Sequence, residues 1–268
     1  MNDIILEDTD KPLIHYDVDK LLFGDESRKV NDFYGIYKLS ILSVGSSGSG
    51  KTSFLINQLL NGVYDINVII LFIPEETLNS GLYRSLLNKN ILPGIKFIVS
   101  NLSKSDGEVN KLNDNVIIYN KFLTFEDVYE IKKDYVKRTK INKPFLLVFD
   151  DFISLFDKKK WLDFYEFLFN SSRLNSYIYC CVQSIKEISP LCRSNFTIII
   201  LFINYLSVSV CKTMLTNSIP LDLTKRNIDD IVYMCKHSDN KHEPLILVGS
   251  TCPRDKKIIY MNKYIIFD

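Results

Sequence analysis

The chain has 268 residues, enough for one large α/β domain or two small ones. With 46% hydrophobic and 24% charged residues it can bury a sizeable core, which sets it apart from disordered chains. A net charge of +1 excludes a polycation, yet leaves room for a surface that concentrates basic groups against nucleic acid. The start, Met-Asn-Asp-Ile-Ile-Leu-Glu-Asp, is acidic and lacks the apolar core of a signal peptide. No run approaches 18 apolar residues, so no membrane span is expected. None of Cys180, Cys181, Cys192, Cys211, Cys235 and Cys252 forms a C-x-x-C pair, and reduced thiols in an intracellular protein are expected.

Residues 1–35 are mixed and weakly periodic, and are expected to form an arm or small subdomain ahead of a main domain over 36–268. From Lys38 short apolar runs alternate with amphipathic stretches. Lys38–Val44 predicts a strand, a Gly-rich turn follows, and a helix is predicted at about 51–61. Val68–Ile73 is a second strand, ended by Pro74. Leu78, Leu82, Leu86 and Leu87 share one face of a helix predicted over 77–90. Lys96–Val99 and Val116–Tyr119 are short strands around a polar loop at 101–115. Thr124 and Asp127 form an approximate capping box for a helix over 125–138. Phe145–Phe149 is a buried strand that ends in two acids. An aromatic-rich helix over 159–171 and a strand over Tyr177–Val182 come next. A short helix, the strand Phe196–Phe202 and helices at 206–217 and 225–237 follow. Strands at Leu245–Val248 and from Ile258 onward close the chain as antiparallel additions at an edge. Apolar strands alternating with helices predict a mostly parallel central sheet with helices on both faces.

Gly45, Ser46, Ser47, Gly48, Ser49, Gly50, Lys51 and Thr52 match G-x-x-x-x-G-K-[ST]. The glycines let successive N–H groups point inward, and the helix that follows adds its free N–H groups and dipole. In such a loop Lys51 contacts the β- and γ-phosphates, Thr52 ligates Mg²⁺, and Ser53 follows on the first turn. The expected cofactors are therefore ATP and Mg²⁺. Asp150 and Asp151 close the strand Phe145–Phe149. Acidic pairs often close strands for structural reasons. Behind a full phosphate loop, Asp150 is expected to hold Mg²⁺ through a water and Asp151 to orient the attacking water, with Asp157 a weaker alternative. Gln183 ends the next strand and can sense the γ-phosphate if that strand lies beside the loop. Arg173 and Arg193 are alternative arginine fingers for a neighbouring subunit. The phosphate loop also admits a nucleotide kinase, although no Arg-rich lid is apparent, or a non-catalytic assembly protein.

G-S-S-G-S-G-K-T, L-L-V-F-D-D, F-N-S-S-R-L-N-S-Y-I-Y-C-C-V-Q-S and P-L-C-R-S-N-F together resemble the poxvirus-type genome-packaging ATPases. These belong to the FtsK–HerA superfamily of RecA-like P-loop motors, found in large DNA viruses and virophages. The resemblance covers about 38–205 and is most specific from Asp150 to Phe196. It implies a P-loop ATPase that drives double-stranded DNA into a capsid as a hexameric ring, with capsid vertex proteins as partners and the host cytoplasm as its place of work. A related DNA translocase or helicase fits the same residues. It also implies that Gly45–Thr52 bind nucleotide, Asp150 and Asp151 serve metal and water, Gln183 is the sensor, and Arg173 or Arg193 is the finger. The lead before residue 38 is longer than the family's short one, and 101–115 has no counterpart there.

Overall fold

The computed structural model describes residues 5–8, 39–62, 64–88, 92–104, 107–217, 223–248, 258–260 and 263–266. Most of the expected 1–35 arm, Lys38 and Cys252 lie outside these residues. In chain order the elements run β1 (Ile5–Asp8), β2 (Ser40–Val44), α1 (Lys51–Leu60), β3 (Val68–Ile73), α2 (Glu75–Leu78) and α3 (Gly81–Asn88). Then come β4 (Lys96–Asn101), β5 (Val109–Asn113), β6 (Val116–Tyr119), α4 (Phe125–Thr139), β7 (Phe145–Phe149) and α5 (Lys158–Asn170). The chain continues with β8 (Ser176–Val182), α6 (Pro190–Arg193), β9 (Ile198–Leu201), α7 (Val208–Asn217) and α8 (Lys225–Lys236). It closes with β10 (Leu245–Val248), β11 (Ile258–Tyr260) and β12 (Lys263–Ile266). No helix among the described residues is long and apolar enough to cross a membrane.

The described residues fall into two compact units. One draws on 5–8, 39–54 and the described part of Cys181–Asp268, the other on Leu55–Cys180. In the Leu55–Cys180 unit the strand order is β8-β7-β3-β4-β6-β5, parallel throughout except for β5 against β6. All six residues of β3 and all five of β7 are buried, so both faces of this sheet are covered. The Phe-rich composition concentrates here. Phe72 on β3 stacks on Phe149 on β7, with centroids 4.3 Å apart and planes within 7°. Phe164 and Phe167, on the inner face of α5, close on Phe149 at 5.1 and 5.7 Å. Each such ring contributes about 1.5–3 kcal/mol of burial, so the last residue of β7 is among the most firmly held points of this unit.

The other unit has the order β1-β12-β11-β10-β9-β2. Here β2 and β9 are parallel and the rest antiparallel, as expected for the closing strands. The five residues of β2 and the four of β9 are buried. Cys181, Cys192, Cys211 and Cys235 are buried thiols in this unit, and Cys180 is one in the other.

Thr124 caps α4 through a complete capping box with Asp127, as its spacing predicts. Two expectations are corrected. The helix predicted over 77–90 is two helices, because the Asn79 and Ser80 N–H groups end α2 by donating to the Glu75 and Thr77 carbonyls and Gly81 opens α3. The leucine period ran across that break. The loop expected at 101–115 holds β5, whose five residues are all exposed and so carry no alternation to read. Asn113 turns β5 into β6 by accepting from the Asn115 N–H at 2.8 Å and donating to the Leu87 carbonyl at 3.1 Å.

Lys132 on α4 is buried, and its Nζ donates to the Asn175 and Lys143 carbonyls at 2.6 and 3.2 Å. Burial pushes its ammonium down from 10.5 to about 8. Between those values the unfolded chain holds the proton and the folded chain does not, so stability rises with pH across that window. Chemical denaturation at a series of pH values from about 8 to 10.5 is expected to show this rise, and Lys132→Met to lose it.

Candidate functional site

The loop Gly45–Gly50 links β2 to α1 within one unit. The Gly45 N–H donates to the Val182 carbonyl at 3.2 Å, and the Phe202 N–H donates to the Val44 carbonyl at 3.0 Å. The loop's start is thus held between the end of β8 and the end of β9. A Cβ at Gly45 would stand 2.5 Å from Ser49 Oγ and 2.9 Å from Phe202 Cβ. Gly50 has φ +102°, a backbone few L side chains adopt, and its carbonyl accepts from the Phe54 N–H to start α1. Phe54 meets Phe202 edge-on at 6.1 Å, so α1 is seated on the residue that follows β9.

Lys51 is buried and folds back on the loop, its Nζ donating to the Gly45 and Ser46 carbonyls at 2.6 and 3.0 Å. Ser49 Oγ is buried with no hydrogen-bond partner among the described residues. Neutral carbonyls holding an ammonium and an orphaned hydroxyl inside a glycine turn fit an anionic ligand. Phosphate oxygens can replace the carbonyls on Lys51 with stronger, charge-assisted bonds. Ser46, Thr52 and Ser53 are half-buried and Ser47 and Gly48 exposed, along the outer rim of the turn.

Gln183 follows Val182 directly, so the structure brings it to the loop. Its side chain is exposed at the strand end. Glu187, four residues on, was not singled out by its sequence, since it sits in an irregular turn with no motif around it. Burial pushes the Glu187 carboxyl up, while the Gln183 and Ser184 N–H groups and the charge of Lys51 hold it back. Arg193 ends α6 in the same unit, with Nε donating to the Ile188 carbonyl at 2.9 Å.

The acidic pair lies in the other unit. Asp150 is buried, its N–H donates to the Phe72 carbonyl at 3.2 Å, and its Oδ2 accepts from the Tyr83 hydroxyl at 2.9 Å. Asp151 is exposed and left-handed at φ 51°, and its Oδ2 accepts from the Thr77 hydroxyl at 3.1 Å. The left-handed turn at Asp151 separates two adjacent carboxylates, one buried and one in solvent. Tyr83 and Thr77 carry no motif, and only the fold brings them to the end of β7. Asp157 caps α5 by accepting from the Lys160 N–H, a structural task. Arg173 is exposed in the turn before β8, its guanidinium 5.6 and 6.0 Å from the ring centroids of Tyr129 and Phe125. Since Phe145 pairs with Ser176, Arg173 stands at the amino end of the β7–β8 pair and Asp150 at the carboxyl end. They are about 16 Å apart along the strands.

The sequence profile of the poxvirus A32 protein matches residues 36–263. The chain belongs to the poxvirus A32 protein family. No curated protein matches it. Among solved structures it is similar to the genome packaging NTPase B204 of Sulfolobus turreted icosahedral virus 2 in complex with AMP. Identity is 15%, TM-score 0.50, and the match covers 84% of this chain and 97% of that one. The DNA-packaging ATPase B204 of Sulfolobus turreted icosahedral virus is similar at 13% identity and TM-score 0.50, covering 84% and 98%. At these identities the likeness is one of fold, and the fold of this A32-family chain is that of the P-loop NTPases.

Gly45→Ala is expected to cost about 1–3 kcal/mol by overpacking against Ser49 and Phe202, and to weaken ATP binding. Thermal unfolding and calorimetric titration with ATP check both. Tyr83→Phe takes a donor from the buried Asp150 carboxylate and is expected to lower stability by about 1–3 kcal/mol, read by denaturant unfolding.

Proposed function

We propose that this chain is an ATP-driven motor that moves double-stranded DNA into a viral capsid. The observation that carries the proposal is the phosphate loop of an A32-family chain, with Lys51 held on two loop carbonyls and Gln183 directly beside it. On binding ATP, Lys51 leaves the Gly45 and Ser46 carbonyls for the β- and γ-phosphates. The N–H groups of the loop and of the first turn of α1 hold the remaining oxygens. Thr52 would offer its hydroxyl to Mg²⁺, and the family resemblance assigns Asp150 to the metal and Asp151 to the attacking water. Mg²⁺ supplies charge neutralisation on the phosphates. Gln183 senses whether the γ-phosphate is present and passes its state to the turn that follows β8. Arg193 or Arg173 acts as the finger toward a neighbouring subunit.

The assembly we propose is a homo-oligomeric ring, a hexamer, working with capsid vertex proteins at viral assembly sites in the host cytoplasm. The similar B204 proteins are a genome packaging NTPase and a DNA-packaging ATPase, which supports this choice among P-loop functions. The test is the ATPase rate of the purified chain with and without double-stranded DNA, alongside its solution mass. DNA is expected to stimulate hydrolysis, the mass to be that of a ring, and Lys51→Ala to abolish turnover. DNA-independent phosphorylation of a small acceptor would overturn the motor in favour of a kinase.

A further inference from the structure

On the flank of the phosphate loop opposite Gln183 lie two aromatic rings that the proposed hydrolysis does not use. Tyr205 ends the short turn Ile203–Tyr205 that follows β9. His242 lies between α8 and β10, and β10 pairs with β9 in register Leu245↔Leu201. The two rings lie 5.4 Å apart, tilted by 34°. The Tyr205 hydroxyl is 3.2 Å from each His242 nitrogen, and His242 Nδ1 is 3.3 Å from the Ser49 carbonyl. With the proton on Nδ1, His242 donates to Ser49 while Nε2 accepts from Tyr205. His242 Nδ1 would also be 3.7 Å from a Cβ on Gly50. Tyr205 is half-buried and His242 exposed, so ring surface stays open to solvent at the rim of the loop.

We propose that Tyr205 and His242 form the platform on which the purine base of a nucleoside triphosphate stacks. The proposal rests on the reading of Gly45–Thr52 as a triphosphate site. Three features of the unit lead to it. Ligands of such sheets lie above the carboxyl ends of the strands, and Gly45, Gln183 and Tyr205 all follow strand ends there. Val182 and Phe202 bracket the loop on its two sides, so a nucleotide with its γ-phosphate toward Gln183 carries its base toward Tyr205. An aromatic pair recognises the π-face of a base, whereas a bare phosphate chain has nothing for it to stack on.

The rival role is a brace, in which the Tyr205–His242–Ser49 chain only stiffens the loop. A brace acts on phosphate binding, and a platform acts on the base alone. Calorimetric titration of the full chain with ATP and with inorganic tripolyphosphate, both with Mg²⁺, separates them. Tyr205→Ala and His242→Ala are each expected to weaken ATP about tenfold and to leave tripolyphosphate unchanged. Tyr205→Phe, which keeps the ring and loses the hydroxyl, is expected to retain ATP affinity. Tyr205→Trp is expected to show fluorescence quenched by ATP and not by tripolyphosphate, above the baseline of Trp161, the chain's one native Trp. Equal losses for both ligands in the alanine variants, or no loss for either, would overturn the platform while leaving the phosphate site standing. Failure of the unaltered chain to bind either ligand would overturn the phosphate site and the platform with it.

Discussion

Where β2 ends there is no room for a side chain, and much of the phosphate-loop unit follows from that. The space a Cβ would take at Gly45 is filled by Ser49 Oγ from within the loop and by Phe202 from beyond β9. Because the chain can pass that point only as glycine, the Gly45 N–H reaches the Val182 carbonyl and the Gly45 carbonyl turns to Lys51 Nζ. Phe202 then serves two elements at once, closing on Gly45 and meeting Phe54 at the start of α1. Strand, turn and helix are thus fixed by one small contact, and Lys51 waits in a bonded state. Under the proposed function, nucleotide binding would exchange these carbonyl bonds for phosphate ones without ordering a free side chain from solvent, which limits its entropic cost.

In the other unit the constraint is hydrophobic. Phe149 is stacked on Phe72 and enclosed by Phe164 and Phe167, so the residue that follows it has little freedom. Asp150 is therefore a buried carboxylate on a rigid mount, held further by the Tyr83 hydroxyl. Asp151 escapes the same burial only by turning left-handed, which short polar residues tolerate at low cost. Two acids adjacent in sequence thus have different surroundings, and their chemistry need not be alike.

The buried strands of both units were legible because continuous apolar runs bounded by Gly, Pro or acid have few other readings. Val68–Ile73, Val116–Tyr119, Phe145–Phe149 and Leu245–Val248 match residue for residue. The glycine turn between β2 and α1 was legible because Gly45 and Gly50 are required by its backbone. β5 was not, since an exposed edge strand has no apolar face to announce it. The break between α2 and α3 was hidden because leucines on either side of Asn79–Gly81 kept helical spacing through a turn. Tyr83, Thr77, Tyr205 and His242 were invisible for a different reason. Each acts through a neighbour far off in sequence, and a single residue type without a local pattern carries no signal of that.

The buried cysteines have a use as reporters. Burial raises the Cys211 thiol and pushes Cys235 up to about 12, so neither presents a thiolate at neutral pH while the fold is closed. Cys180 and Cys181 lie on either side of the boundary between the two units, on the same strand. Alkylation of a given thiol must then wait for the local opening that uncovers it. Variants that keep one cysteine at a time would time the breathing of each unit separately, with modification rate as the clock.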